Sequence, residues 1–123
     1  MPVEQQERAR IIIVEDNPML ALDLEEVLVD AGFNIAAIAG TLEKAHALIA
    51  SGACDAAILD ANLAGASASP LASALTARGL PFIVLSGYSS EQLQGAFPGA
   101  LLLQKPCQLA QLISALNTIV GKQ

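Results

Sequence analysis

Four short apolar runs most constrain what this chain can become: IIIV at 11–14, AAIL at 56–59, FIVL at 82–85 and LLLQ at 101–104. Each is too short for a helix and apolar on both faces, the pattern of a strand buried between two layers. Each also delivers a polar residue at or just past its C-terminal end. Glu15 and Asp16 follow the first, Asp60 the second, Ser86 the third and Lys105 the fourth. In an open parallel sheet the carboxyl ends of the strands line one crevice, where such sheets bind ligands. Three carboxylates, one hydroxyl and one ammonium are therefore expected to converge.

The stretches between the runs read as helices. Asn17 and Pro18 give an N-cap and a helix-starting proline, and Leu20, Leu24, Val27 and Ala31 recur at helical spacing until Gly32. Phe33 to Ala39 reads as a further strand, and Thr41 caps a helix carrying Ala45, Leu48 and Ile49 up to Gly52. A strand over 56–60 leads into a flexible loop, AlaAsnLeuAlaGly, that leaves Asp60 reachable. Ser69 and Pro70 then open a helix that Gly79 ends, and Pro81 to Ser86 is a strand. Residues 87–99 hold three glycines and a proline and leave room for about two helical turns. Ala100 to Gln104 is the last strand, before a strongly apolar closing helix with Leu109, Leu112, Ile113, Leu116, Ile119 and Val120. Five βα units with a short or irregular fourth helix predict a three-layer, doubly wound α/β fold.

A chain of 123 residues is one domain by length, and its interior must be aliphatic, since 54% of residues are hydrophobic but only 3% aromatic. The expected boundaries are a flexible lead-in at 1–9 and the domain at 10–121. Acids outnumber Lys and Arg by 12 to 6, and the basic residues are dispersed. Nucleic-acid binding, which needs a clustered basic footprint, is not expected. Asp23, Glu25, Glu26 and Asp30 fall on the first helix as a solvated face. Cys54 and Cys107 are too few for a zinc site or a disulfide framework. No signal core or membrane-length apolar run occurs, which points to a cytoplasmic protein without a membrane partner.

Bringing Glu15, Asp16 and Asp60 together is costly. Two carboxylates about 4 Å apart repel by roughly 4 kcal/mol at an effective dielectric near 20. A Mg²⁺ (or Mn²⁺) ion, which prefers oxygen ligands, would offset this together with Lys105. Asp60, a single acid at a strand end, is the candidate nucleophile toward a phosphoryl group. Asp16 is the leading metal ligand, Glu15 a second one or one acting through water, and the Asn62 backbone carbonyl completes the set. Ser86 could donate to a phosphoryl oxygen.

The pair Glu15-Asp16, Asp60 in IleLeuAspAlaAsnLeu, Ser86 in ValLeuSerGly and the pair Lys105-Pro106 together resemble a response-regulator receiver domain over nearly the whole chain. The resemblance implies a flavodoxin-like (CheY-like) sheet of order 2-1-3-4-5. It also implies Mg²⁺-dependent transfer from phosphohistidine to Asp60, with Lys105 and Ser86 assisting, and a cis peptide before Pro106. Such a protein is not a conventional enzyme, although it hydrolyses its own phosphoryl group slowly. Residues 78–88, ArgGlyLeuProPheIleValLeuSerGlyTyr, are similar to the single-domain subgroup named for a Phe-Ala-Thr-Gly-Tyr motif, found with histidine kinases of the HWE type. Val84, Leu85 and Ser86 depart from that motif. The family's fifth-strand aromatic switch residue is Leu102 here, which leaves Ser86 and Tyr88 as the switch pair or Tyr88 as an ordinary edge residue. The implied partners are a histidine kinase or phosphotransfer protein and an unknown downstream protein, with the chain a monomer or weak dimer. The nearly uncharged outer face of the closing helix, Gln108, Gln111, Ser114 and Asn117, is a candidate partner surface.

Three other readings compete. His46 in AlaHisAlaLeu has the surroundings of a phosphotransfer histidine, but that motif works on a helical bundle, and a surface histidine is the simpler account. An aspartyl-phosphate hydrolase of the dehalogenase type would place its nucleophile on the first strand with a second Asp two residues on, where Asp60 has Asn62. A pseudo-receiver that binds partners without being phosphorylated would not need the full set of pocket residues.

Overall fold

Each apolar run becomes a strand of one parallel sheet in the computed structural model of the chain, which describes residues 9–63, 65–87, 97, 100–105 and 108–120. In chain order the elements are β1 (Arg10–Val14), α1 (Pro18–Asp30), β2 (Asn34–Ala39), α2 (Leu42–Ala50), β3 (Ala56–Asp60), β4 (Asn62–Leu63), β5 (Ala66–Ser67), α3 (Ser69–Ala77), β6 (Phe82–Ser86), β7 (Leu101–Gln104) and α4 (Leu109–Val120). The main sheet runs β2-β1-β3-β6-β7, every pair parallel. Leaving out the separate β4–β5 hairpin, this is the expected order 2-1-3-4-5 of a doubly wound, flavodoxin-like fold.

Strand alternation builds two cores. Ile12, Val14, Ala57, Leu59 and Val84 point to one side and pack with Ala45 and Ile49 of α2 and Leu71 and Leu75 of α3. Ile11, Ile13, Ile58, Ile83 and Leu85 point to the other and pack with Leu28 of α1 and Leu112, Ala115 and Leu116 of α4. The central strands are therefore apolar throughout because both faces are covered. Phe97, one of the few aromatics, is buried in the first of these cores.

The helix ends follow local chemistry. The Asn17 side chain accepts from the N–H groups of Met19 and Leu20 at 3.0 and 3.3 Å, and Thr41 Oγ1 accepts from the Lys44 N–H at 3.1 Å. At the far end of α1, Gly32 takes φ 100°, and the N–H groups of Gly32 and Phe33 donate to the carbonyls of Val29 and Leu28. This Schellman pairing satisfies carbonyls that the helix leaves open, and the same pattern closes α2 and α3. It also explains why β2 begins at Asn34 and not at Phe33, whose N–H is already committed to α1. Likewise β6 begins after Pro81, which has no N–H to give a ladder.

The segment after Asp60 differs from expectation. It is a two-residue antiparallel hairpin, Asn62 opposite Ser67 and Leu63 opposite Ala66, not a flexible loop. Asn62 Oδ1 accepts from the Gly65 N–H at 2.8 Å, and the Ala68 N–H donates to the Ala61 carbonyl at 2.9 Å, so the hairpin is pinned at both ends. At the opposite edge of the sheet, Arg10 clasps Asp55 through its backbone N–H at 2.8 Å, Nε at 3.1 Å and a terminal guanidinium nitrogen at 3.0 Å. These bonds hold the Asp55 carboxyl below its usual range. The expected irregular fourth helix and the N-terminal lead-in fall largely outside the described residues. No described helix is long and apolar enough to cross a membrane.

Three changes test how this structure is held together. Ile13, fully buried, should cost about 2–5 kcal/mol on truncation to Ala. Met19→Ala, at a side chain 74% exposed, should stay within about 0.5 kcal/mol, both read from urea unfolding midpoints. A carboxyl whose pKa is lowered by folding stabilises the fold above its unfolded pKa and loses that contribution as pH falls through the folded value. The stability gap between the parent chain and Asp55→Asn should therefore be largest at neutral pH and shrink on acidification.

Candidate functional site

The sheet register assembles the site. β1 and β3 are aligned so that Val14 lies beside Leu59, which sets Glu15 and Asp16 next to Asp60. Asp60 lies beside Leu85, so Ser86 is one step further along β6. Ser86 in turn lies beside Gln104, and the Lys105 N–H donates to the Ser86 carbonyl at 2.6 Å. Carboxylate oxygens of Glu15, Asp16 and Asp60 all come within 4.8 Å of one another. Lys105 Nζ sits 3.4 Å from Asp60 Oδ2 and 3.8 Å from Glu15 Oε1, one ammonium shared between two acids.

Among the described residues the two buried polar ones are Glu15 and Ser86, both at this edge. Burial pushes the Glu15 carboxyl above its usual pKa, and the nearby Asp60 charge adds to the rise. Two groups act in the other direction: the Asn17 N–H, which donates to Glu15 Oε2 at 3.1 Å, and the Lys105 ammonium. Asn17 thus caps α1 with its side chain and orients Glu15 with its backbone N–H, a role that any non-proline residue could fill and that the sequence therefore did not mark. Asp60 Oδ1 accepts from the Asn62 N–H at 3.3 Å. The nucleophile candidate is therefore held at one oxygen by the hairpin and at the other by Lys105, with 13% of its side chain exposed.

Of the residues singled out from the sequence, Glu15, Asp16, Asp60 and Lys105 are brought together, Ser86 ends the adjoining strand, and Asn62 contacts Asp60 through its backbone. Tyr88, Pro106 and Cys107 lie outside the described residues. His46 is exposed on α2 and is not part of the cluster. Cys54 is a buried free thiol whose pKa burial pushes up.

An all-oxygen set of three carboxylates suits a hard divalent cation such as Mg²⁺ or Mn²⁺, and among the described residues neither nitrogen nor sulfur ligands join the cluster. One ammonium beside three acids leaves the cluster with net negative charge, which a cation would relieve. The residues present fit such an ion.

For an acid whose pKa is raised by folding, the folded state holds its proton more tightly, so stability falls as pH rises from the unfolded value through the folded one. Glu15→Gln should accordingly stabilise the metal-free protein at neutral pH and flatten its pH dependence between acid and neutral conditions. Thermal unfolding in the presence of a chelator, scanned over pH, checks this.

Comparison with known proteins agrees with the geometry. The family described as Response regulator receiver domain matches residues 11–117. The Transcriptional regulatory protein PdtaR of Mycobacterium tuberculosis is 28% identical over 117 residues, covering 92% of this chain and 57% of that protein, so the chain spans little more than half of that relative. The solution structure of SdrG from Sphingomonas melonis Fr1 is 35% identical, with a TM-score of 0.77 over 92% of this chain and 97% of that one. The BeF3-activated conformation of SdrG from Pseudomonas melonis Fr1 is 37% identical, with a TM-score of 0.76 over 90% and 95%. An acidic cluster at the carboxyl edge of a five-stranded parallel sheet, a lysine reaching into it from the last strand, and a family match across both place this chain in the response regulator receiver domain family.

Proposed function

We propose that this chain is a phosphoryl-accepting receiver of a two-component or phosphorelay system, spanning residues 10–121 and working in the cytoplasm. Its donor is the phosphohistidine of a histidine kinase, the HWE type among them, or of a phosphotransfer protein. The observation that carries this reading is Lys105 Nζ between Glu15 and Asp60, beside three converging carboxylates. Support also comes from SdrG, a relative whose BeF3-activated conformation has this fold.

In this reading an Asp60 carboxylate oxygen attacks the phosphorus, a new P–O bond forms, and the P–N bond to the donor imidazole breaks. The product is an acyl phosphate on Asp60. Asp16, Glu15, Asp60 and the Asn62 carbonyl would hold Mg²⁺ or Mn²⁺, which when bound neutralises charge on the transferring oxygens. Lys105 is already positioned to pair with a phosphoryl oxygen, and the Asn62 N–H keeps the carboxylate oriented. Ser86 supplies a hydroxyl at the neighbouring strand end, and with Tyr88 forms the switch. The acyl phosphate carries about 1.5 to 2 negative charges where the free Asp60 carboxylate carries one, and the Gly-rich stretch 87–99 is the element that responds.

Incubation with Mg²⁺ and acetyl phosphate should add one phosphoryl group by intact mass, and none in Asp60→Asn or with a chelator. Lys105→Met should slow the addition by about a hundredfold or more. Absence of both phosphorylation and Mg²⁺ binding in the parent chain would favour the pseudo-receiver, and rapid turnover of phosphate esters would favour a hydrolase.

A further inference from the structure

Four glycines among the described residues have positive φ, and three of them, Gly32, Gly52 and Gly79, close helices. Gly65 does not. It is the second of the two residues that join Leu63 to Ala66 in the β4–β5 hairpin, it is exposed, and its φ is 90°. A β-carbon there would meet no atom within 4 Å, so crowding does not reserve the position for glycine. The demand is on the backbone, because at this φ a glycine is unstrained and an ordinary L residue is not. What the conformation delivers is one N–H, which donates to Asn62 Oδ1 at 2.8 Å.

That bond acts on the residue that touches the acceptor. The Asn62 N–H donates to Asp60 Oδ1 at 3.3 Å, long for such a bond, so a small rotation of the peptide unit between residues 61 and 62 breaks it. On either side of Asn62 the chain is anchored to the body of the protein. The Ala61 N–H donates to the Leu85 carbonyl and the Ala61 carbonyl accepts from the Ala68 N–H, both at 2.9 Å, while the Leu63 side chain is buried in the first core. Asn62 itself is exposed between these anchors. Its side-chain bond to Gly65 is a local restraint that fixes the orientation of its own N–H and carbonyl.

We infer that Gly65 is a positioning residue for the Asp60 site: its left-handed backbone holds the Asn62 side chain, and Asn62 in turn holds one oxygen of Asp60. This role rests on the phosphoryl-acceptor reading of the site, and extends it to a residue that touches none of the converging carboxylates. Lys105 Nζ, 3.4 Å from Asp60 Oδ2, restrains the other oxygen, so the two restraints together set the direction of the carboxylate. Groups that orient metal ligands from behind commonly change metal affinity by about tenfold or more when they are lost. A glycine that only completes an exposed turn would lower stability and leave the site of the folded protein unchanged.

The test compares the full chain with Gly65→Ala, Asn62→Ala and Gly65→Asn, asparagine being among the L residues that best tolerate positive φ. The first readout needs no metal: amide hydrogen exchange at residue 62 by NMR with a chelator present, referenced to Ile13 in the core. Exchange at residue 62 should quicken about tenfold relative to Ile13 in Gly65→Ala and Asn62→Ala, and stay close to the parent in Gly65→Asn. The second is Mg²⁺ affinity by titration calorimetry, which should fall about tenfold in the first two variants and less than about threefold in Gly65→Asn. Urea unfolding separates any loss of stability from these effects. Unchanged exchange at residue 62 and unchanged Mg²⁺ affinity in Gly65→Ala, whatever its urea midpoint, overturn the positioning role, as do equal losses in Gly65→Asn and Gly65→Ala. Failure of the parent chain to accept a phosphoryl group would sink the phosphoryl reading instead, and the metal-free exchange would still decide the role of Gly65.

Discussion

The shared position of Lys105 between Glu15 and Asp60 is the interaction on which the arrangement of this protein turns. Parallel strands put their carboxyl ends together, and here that geometry gathers three acids within 4.8 Å. Without a cation in reach such a cluster would favour fraying of the strand ends or protonation of one acid. Lys105, at 3.4 Å from Asp60 and 3.8 Å from Glu15, offsets part of the repulsion and leaves the remainder available to a divalent ion. Burial first, and the Asp60 charge after it, hold the Glu15 carboxyl above its usual pKa despite Lys105.

That poise depends on rigid support. β1, β3 and β6 are apolar on both faces and buried between two helical layers, so their ends cannot shift independently. The hairpin after β3 restrains Asp60 from one side, and Asn17, itself fixed by capping α1, restrains Glu15 from the other. The Arg10–Asp55 clasp ties β1 to the entry of β3 at the far end, reinforcing the register that aligns the acids. Stability and the site are thus linked through strand register, while α1, with its exposed apolar and acidic face, stands partly outside that arrangement.

Most of the fold was legible before any coordinates. The four apolar runs became the strands expected of them, and Asn17, Thr41, Gly32, Gly52 and Gly79 bound the helices that their chemistry predicts, because capping and glycine closure are local effects. Errors of one residue arose where a backbone N–H was already committed, as at Phe33, or missing, as at Pro81. The β4–β5 hairpin was not foreseen, since its strands are two residues long and depend on the Asn62 side chain bonding to the Gly65 N–H. The Arg10–Asp55 clasp joins residues 45 apart in the chain and leaves no periodic signal.

The apolar runs, helical spacing and caps established the type of each element, and the polar residues at the run ends marked the end of the sheet where they would gather. These follow from periodicity and from the polarity of parallel strands, both carried by neighbouring residues. The folded molecule alone decided how close the acids come, that Glu15 is desolvated while Asp16 stays exposed, that one ammonium serves two carboxylates, and that α1 keeps its apolar face uncovered. Those properties depend on distance and burial between segments remote in the chain, and they arise only when the layers close.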